Sequence, residues 1–309
     1  MRERILGAIY GHLVGDAFGV PYEFEAAADL PAELKWRGFG THHQPPGTWS
    51  DDGALMLCLL ASLHECGRFD PADAGRRFVR WRDAGYLAAG GVVFDVGITT
   101  GDALNRLRAG VPPLEAGAAD EAAGSNGSLM RILPLPLWAR HEPPARLVAI
   151  CHDGSRLTHG HTCPQVCCAV YGLLVQRLLT EHTTPADAWG AALATAEAEY
   201  CRNPAWGNNF AREVALIRQF RRFTGGGFVV DCLCSAWAAV RRADDYADAV
   251  RQAVRFGNDT DTTAAVAGSL AGLIFGVDGI PADWLSELRL TDDQGRLIAE
   301  FADRCAPGV

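Results

Sequence analysis

The sequence lacks a surplus of positive charge. Its 309 residues include 28 lysines and arginines against 37 aspartates and glutamates, which gives a formal net charge of −9. A protein whose affinity came from neutralising nucleic-acid phosphates would need the opposite balance. The composition therefore argues against that class of protein, although it leaves room for a local basic pocket.

Long apolar runs are also missing. The run 262–277 is uncharged, but its sixteen residues are fewer than the roughly 18 that a membrane-spanning helix needs. His12 and Asp16 interrupt the apolar N-terminal stretch, and no small-residue cleavage site follows it. We therefore expect a soluble, cytoplasmic protein with no membrane partner, whose ten cysteines are reduced.

Alternating β-branched segments, which are typical of strands, are nearly absent too. Apolar residues instead recur at helical spacing, and 54–66 is apolar almost all round, as in a buried helix. The predicted helices cover residues 54–66, 74–84, 166–180, 186–200, 210–223, 230–243 and 246–256. The glycine and proline clusters between them are too short for flexible interdomain linkers. We predict an all-α fold in which residues 1–309 form a single compact globular domain.

Two signals of other ligand chemistry are incomplete. A short segment holds five possible zinc ligands, namely His159, His161, Cys163, Cys167 and Cys168. Their spacing is not that of paired zinc knuckles, and the cysteines fall in an apolar helical pattern that favours a core helix. The glycines at 225–227 lack the Gly-Lys-Ser/Thr end of a phosphate-binding loop. They predict a turn between helices.

Two acidic segments differ from the rest of the chain. Residues 47–53 read Gly-Thr-Trp-Ser-Asp-Asp-Gly and precede the apolar helix at 54–66. Residues 257–263 read Gly-Asn-Asp-Thr-Asp-Thr-Thr and precede a second apolar stretch. One interpretation is helix capping, because serine and aspartate are favoured at helix N-termini. Capping alone accounts for either segment taken by itself.

The two segments together support a second interpretation. Both lead into helices too apolar for the surface, so both carboxylate pairs would lie at the ends of core helices. If these ends converge, four carboxylates repel one another unless a cation neutralises them, and neither segment contains lysine or arginine. Hard divalent cations prefer such oxygen ligands. The pattern predicts a centre at helix N-termini with two metal ions about 3.5–4 Å apart.

Six segments along most of the chain carry a family resemblance. They are GAIYGHLVGDAFGVPYEF (7–24), GTWSDDG (47–53), FDVGITTGDAL (94–104), GSNGSLMRILPL (124–135), LTH (157–159) and FGNDTDTTAAVAGSLAGLIFG (256–276). In this order they resemble the ADP-ribosylglycohydrolases, the family that includes the dinitrogenase reductase-activating glycohydrolase. The resemblance implies an all-α single domain with a two-metal centre.

The resemblance also implies metal-binding and catalytic residues. Two divalent cations, Mg²⁺ or Mn²⁺, would be held by Ser50, Asp51, Asp52, Asp259, Asp261 and Thr262. Glu23 matches an acidic position near the metals that serves as a ligand or in proton transfer, and Asp95 matches one that acts on the scissile ribose or as a general base. Both are therefore candidates for proton transfer. Which of the two is the acid and which the base stays open. Helix-end capping or salt bridging is the alternative for both.

A third group of residues would bind the substrate. Asn126, Gly127 and Ser128 match the loop that cradles the diphosphate, a role that suits backbone N–H groups, and His159 matches a histidine near the phosphates or distal ribose. Trp49 could stack on a base or ribose, or pack under its own loop. For Arg131 a structural ion pair is favoured over phosphate binding.

The activity that the resemblance implies is metal-dependent hydrolysis of the glycosidic bond between ADP-ribose and an acceptor. The acceptor, which stays open, is a modified protein side chain or another ADP-ribosyl conjugate; nucleic acid enters only as a modified acceptor, and we expect a monomer. One alternative is a non-catalytic ADP-ribose-binding or structural protein, against which the intact carboxylate set argues. The other is a two-metal hydrolase of another nucleotide substrate, but a phosphoesterase would be expected to supply histidine ligands or a basic clamp near the carboxylates.

Overall fold

The computed structural model describes residues 1–120, 123–181 and 183–306, and this part of the chain is helical. Helices make up 66% of it, and β-structure within the described residues is confined to three isolated bridges. The all-α prediction is confirmed. The helices of the described residues, α1 to α14 in chain order, are Arg2–Gly19, Asp51–Cys66, Pro71–Ala84, Ile98–Arg108, Pro134–Trp138, Pro144–Arg156, Thr162–Thr180, Pro185–Arg202, Gly207–Gln219, Val229–Val240, Tyr246–Val254, Thr260–Phe275, Ala282–Glu287 and Asp292–Cys305.

Every predicted helix overlaps an observed one, but the ends differ. α3 begins at Pro71 instead of 74, because Asp70 accepts hydrogen bonds from the N–H groups of Ala72 and Asp73 and so caps the first turn. α9 ends at Gln219, before the arginine- and glycine-rich segment that the prediction included up to 223. The prediction missed α1, α4, α5, α6, α13 and α14.

Helices α1 and α12 lie in direct backbone contact. Every fourth residue of α1 on the facing side is a glycine, at Gly7, Gly11, Gly15 and Gly19. A Cβ atom at Gly15 would stand 2.1 Å from the carbonyl oxygen of Ala264, and one at Gly19 would stand 2.4 Å from the Cα of Asp261. Only glycine permits this approach. The contact places the N-terminus of α12 beside the C-terminus of α1.

Asp16 of α1 holds the N-terminus of α2. One of its carboxylate oxygens accepts a hydrogen bond from the N–H of Ser50 at 2.9 Å, and the other accepts from the N–H of Gly53 at 2.8 Å. Because α1 thus contacts both acidic helix starts near its own C-terminus, the starts of α2 and α12 meet at one place in the fold.

Among the described residues, α7 is the one helix that is both long and apolar enough to be tested as a membrane span. Its 19 residues would suffice to cross a membrane by length and composition, and it is longer than the 262–277 run. However, 83% of its most apolar window is buried inside the protein, where it packs against the helices α6 and α8. This is the packing of a core helix.

Candidate metal centre and active-site cleft

The joined starts of α2 and α12 form one wall of a cleft. Its volume is about 330 Å³, which lies within the usual range for small-molecule sites, roughly 300–1,000 Å³. The other walls come from Glu23 and Phe24, from residues 95–100 at the start of α4, and from the loop 125–130. The carboxylates that line the cleft are Glu23, Asp51, Asp52, Asp95 and Asp259. Asp261 lies fully buried beside them.

The donor set of this cleft fits a hard divalent cation. Glu23, Asp259 and Asp261 each direct one carboxylate oxygen into a group whose members lie within 4.8 Å of one another. Asp52 Oδ2 and Asp261 Oδ2 are buried and have no hydrogen-bond partner. Unpaired buried carboxylate oxygens are costly, and no lysine or arginine among the described residues lines the cleft. Oxygen ligands without a protein cation are the environment that Mg²⁺ or Mn²⁺ requires.

Electrostatics support the same conclusion. Burial raises the pKa values of Asp51, Asp52 and Asp261 well above the ordinary range, and the charges of the neighbouring carboxylates raise them further. The fold therefore holds these side chains together against their mutual repulsion. A bound cation would reverse this effect and favour the ionised carboxylates.

A histidine that was not predicted lies beside the cleft. The imidazole of His42 contacts the Glu23 carboxylate, which raises the pKa of His42, while burial raises the pKa of Glu23 to about 7. An oxygen of Asp95 joins the pair within 4.8 Å. Asp95 has a φ of 54°, a strained backbone conformation that is often found at functional sites. The segment around His42 carries no motif, so no spacing pointed to it.

Asp16 was missed as well, although the sequence did contain a signal. An aspartate inside the otherwise apolar N-terminal stretch requires buried hydrogen-bond partners. Those partners are the N–H groups at the start of α2, and burial still raises the pKa of Asp16 to about 7. Asp16 thus positions the helix start that carries Asp51 and Asp52.

The two acidic segments differ in how far capping explains them. Ser50 is the N-cap of α2, and its Oγ accepts a hydrogen bond from the N–H of Asp52 at 3.2 Å. Asp259 occupies the N-cap of α12 but caps nothing with its side chain. Its Oδ2 instead accepts from the side-chain amide of Asn126 at 2.9 Å. Thr262 Oγ1 donates to Asp52 Oδ1 at 3.3 Å and joins the two helix starts.

In the loop 124–128, the backbone N–H of Asn126 does not point into the cleft as the resemblance implies. The N–H of Asn126 donates to the carbonyl of Gly227 at 3.0 Å, so this group is not directed at an anion. The side-chain amide of Asn126 instead donates to Asp259, one of the acidic residues of the candidate metal centre. Gly127 lines the cleft, and a Cβ atom there would stand 2.9 Å from His159 Cε1 and from Thr100 Oγ1. Thr100 and Ser125, which also line the cleft, were not predicted.

Three of the predicted substrate-binding residues have buried side chains that do not line the cleft. Ser128 is buried, and its hydroxyl bonds with that of Ser155 at 2.9 Å. His159 lies behind the loop, where its ring nitrogens contact Ser125 Oγ and Thr158 Oγ1, each at 2.8 Å. Burial lowers the pKa of His159 to about 3, which keeps the ring neutral. These two side chains support the loop from the protein interior and do not line the cleft.

Trp49 is the third of these residues. Its side chain is only 1% exposed and packs under its own loop, where a Cβ atom at Gly53 would stand 2.7 Å from the indole. Of the two alternatives for Trp49, the structure shows packing under the loop.

Arg131 has a structural role, but not through an ion pair. Its guanidinium is fully buried, donates to the carbonyl of Gly154 and to Thr158 Oγ1, and lies 4.7 Å above the ring of Phe78. Burial lowers its pKa to about 10. Arg131 and His159 share Thr158 as a partner, so Arg131 braces the same region behind the loop.

The histidines and cysteines considered as zinc ligands make other contacts. His161 Nδ1 accepts a hydrogen bond from the N–H of Cys163 at 3.2 Å and caps α7. Cys163, Cys167 and Cys168 are buried in that helix. This arrangement agrees with the core-helix interpretation.

Comparisons with known proteins agree with the geometry. Residues 1–308 match the family model described as ADP-ribosylglycohydrolase. The chain is 31% identical to the ADP-ribosylarginine hydrolase Tri1 of Pseudomonas putida (strain GB-1), over 99% of this chain and 80% of that one. It is 30% identical to the ADP-ribosyl-[dinitrogen reductase] glycohydrolase of Rhodospirillum rubrum, over 93% and 91%. A solved structure titled "ADP-ribosylglycohydrolase-related protein complex" superposes with a TM-score of 0.77 at 32% identity, covering 98% of both chains.

Proposed function

This chain belongs to the ADP-ribosylglycohydrolase family, whose enzymes hydrolyse the glycosidic bonds of ADP-ribose conjugates, and we propose that it releases ADP-ribose from modified arginine side chains with two bound divalent cations. The cleft at the joined starts of α2 and α12, where six carboxylates meet the loop 124–128, carries the proposal. The arginine acceptor is supported by the Tri1 relative, whose name gives that substrate. The cation requirement is supported by the unpartnered oxygens of Asp52 and Asp261.

The proposed metal ligands come from the two helix starts. They are Ser50, Asp51, Asp52, Asp259, Asp261 and Thr262. When bound there, Mg²⁺ or Mn²⁺ would orient the ribose hydroxyls and lower the pKa of a bound water. The protein's own contribution is to hold the carboxylates in place, through the Asp16 bonds to α2 and the contact of α1 with α12.

Glu23 and Asp95 are the proposed groups for proton transfer. In the reaction the bond between the anomeric carbon and the guanidine nitrogen breaks through an oxocarbenium-like transition state, and a water oxygen bonds to that carbon. One proton must leave the water and the departing nitrogen must gain one. In the protein without metal, burial raises the pKa of Glu23 to about 7. Glutamate and aspartate side chains within hydrogen-bond reach of the reacting groups are common proton-transfer groups. His42 holds the Glu23 carboxylate at the cleft.

The experiment that tests this function is product analysis on defined substrates. The protein is incubated with an ADP-ribosylarginine peptide and an ADP-ribosylserine peptide, first with EDTA and then with Mg²⁺ or Mn²⁺ restored. We expect ADP-ribose to be released from the arginine peptide, to stop with EDTA and to return with metal. Asp52→Ala should abolish release, whereas Asp293→Asn on the exposed start of α14 should not change it.

Each other outcome contradicts a named part of the proposal. Release only from the serine peptide would exclude the arginine acceptor, and release that persists in EDTA would exclude the cations. AMP or inorganic phosphate as products would mean cleavage of a phosphate ester. Binding of ADP-ribose without any release from either peptide would favour a non-catalytic protein.

A further inference from the structure

The glycine-rich turn 224–227 lies directly against the active-site cleft. Gly227 lines the cleft. Gly225 has a φ of 62°, and a Cβ atom there would stand 2.8 Å from Phe256 Cβ, so only glycine permits this approach. The turn therefore packs on the segment that leads into α12. Its sequence predicts only a connection between two helices.

Two carbonyls of the turn hold two groups of the cleft. The carbonyl of Gly225 accepts from the N–H of Asp259 at 2.9 Å, and that of Gly227 accepts from the N–H of Asn126 at 3.0 Å. The amide of Asn126 donates in turn to Asp259 Oδ2. These bonds form a closed ring. The turn consequently sets the position of the substrate-side loop relative to the metal-side helix.

Asp231 holds the turn in place. Its side chain is 6% exposed in the first turn of α10, and its Oδ1 accepts from the N–H of Thr224 and from Ser235 Oγ, both at 2.9 Å. Its Oδ2 accepts from the N–H of Gly226 at 3.3 Å and from the Thr224 hydroxyl. The N-cap of α10 is Phe228, whose side chain makes no capping bond. Three of the four hydrogen bonds that Asp231 accepts thus come from the turn, and the fourth comes from Ser235 of its own helix.

We propose that Asp231 is a positioning residue of the active site, which fixes Asn126 and Asp259 relative to each other through the turn 224–227. The inference rests on the proposed function for the identity of the ligand. Residues that orient the groups of a site, without touching the ligand, commonly change affinity or activity by about 10–100-fold when replaced. Because the turn bonds to both a substrate-side and a metal-side residue, its displacement weakens both kinds of binding.

The test is the variant Asp231→Asn. The amide keeps the shape of the side chain and one acceptor, but it lacks the second acceptor that Gly226 and Thr224 share. Calorimetric titration with Mn²⁺, and with ADP-ribose in the presence of Mn²⁺, should give dissociation constants raised about tenfold or more. On the arginine peptide KM should rise along with a fall in kcat.

A matched control separates positioning from general stability. Asp70→Ala removes the N-cap of α3, a carboxylate that accepts from two backbone N–H groups away from the cleft. It should lower the thermal midpoint to a similar extent and leave both dissociation constants unchanged. If Asp231→Asn does not fold, Thr224→Val removes only the hydroxyl contact and should shift the constants in the same direction.

A double variant tests the route through Asn126. Asp231→Asn combined with Asn126→Ala should lose less affinity for ADP-ribose than the two single losses added together, because the two changes share the contact between the turn and Asn126. Fully additive losses, or wild-type constants in Asp231→Asn, would overturn the inference. If the wild-type chain binds Mn²⁺ but not ADP-ribose, the proposed function fails and the Mn²⁺ constants still decide the inference. A wild-type chain that binds neither overturns both.

Discussion

Asp52 shows how a single residue at the cleft combines two opposing effects. Its Oδ1 accepts from Thr262, whereas its Oδ2 is buried and unpartnered. Burial and the nearby carboxylates raise its pKa well above the ordinary value, so the ionised side chain destabilises the protein without a cation. With a cation the same oxygens become ligands. Stability without metal is thus lowered by the arrangement that permits metal binding.

The variant Asp52→Asn should separate these effects. In EDTA at pH 8 we expect its thermal midpoint to lie above that of the wild type, because the amide carries no charge. With Mn²⁺ at a hundred times its dissociation constant the wild type should gain about 2.7 kcal/mol, and the variant should gain less. Differential scanning calorimetry measures both. A variant that is less stable in EDTA, yet gains as much from Mn²⁺, would show that Asp52 is no ligand.

At the scale of elements, the contact of α1 with α12 positions the site. Glycine is normally unfavourable inside a helix, by about 1 kcal/mol relative to alanine. Here the glycines at every fourth position of α1 allow backbone contact, and that contact brings Asp261 beside the end of α1. The spacing was visible in the sequence, but its partner helix was not.

The pair Gly15→Ala and Gly190→Ala tests this contact. At Gly15 the added methyl would stand 2.1 Å from a backbone carbonyl oxygen of α12, so we expect a loss of about 1–3 kcal/mol in the free energy of unfolding. At Gly190, in α8, nothing lies within 4 Å, and alanine should stabilise by about 0.4–1 kcal/mol. Urea denaturation measures both. Stabilisation by Gly15→Ala would contradict the close packing.

At the scale of the whole molecule, the cleft collects residues from distant parts of the chain. Its acidic groups come from the region after α1, from the starts of α2 and α12, and from the stretch before α4. Within a chain of net charge −9 this concentrates negative charge at one place. The stability of the protein without metal should therefore depend on pH in an unusual direction.

Without metal, the stability of the protein should fall as the pH rises towards neutrality. Burial raises the pKa of Asp16 and of Glu23 from 3.8 and 4.5 to about 7. Between the ordinary and the raised values the folded protein binds more protons than the unfolded chain, so the stability present at low pH is lost up to about pH 7. Urea midpoints in EDTA at pH 5 and pH 7.5 measure this, and Glu23→Gln should reduce the difference. Equal midpoints in the wild type would contradict the raised values.

Much of the site could be predicted because its signals are local. Asp51, Asp52, Asp259 and Asp261 follow from residue type and from the apolar helices behind them, and the structure brings them together as expected. Trp49 and His159 also lie in recognisable segments, but their side chains point into the protein. A segment shows which residues are near a site in the chain, whereas the direction of a side chain depends on what packs above and below it.

The sequence by itself determined the all-α class, the course of the main helices and the acidic helix starts, since periodicity and residue type act over a few residues. Only the tertiary structure decided that the two starts meet, that Asp16 and His42 belong to the site, and that Asp231 holds the turn beside it. These contacts join residues far apart in the chain, such as Asn126 and Asp259. They depend on the close packing of α1 against α12. The spacing of residues within one helix does not indicate which other helix it packs against.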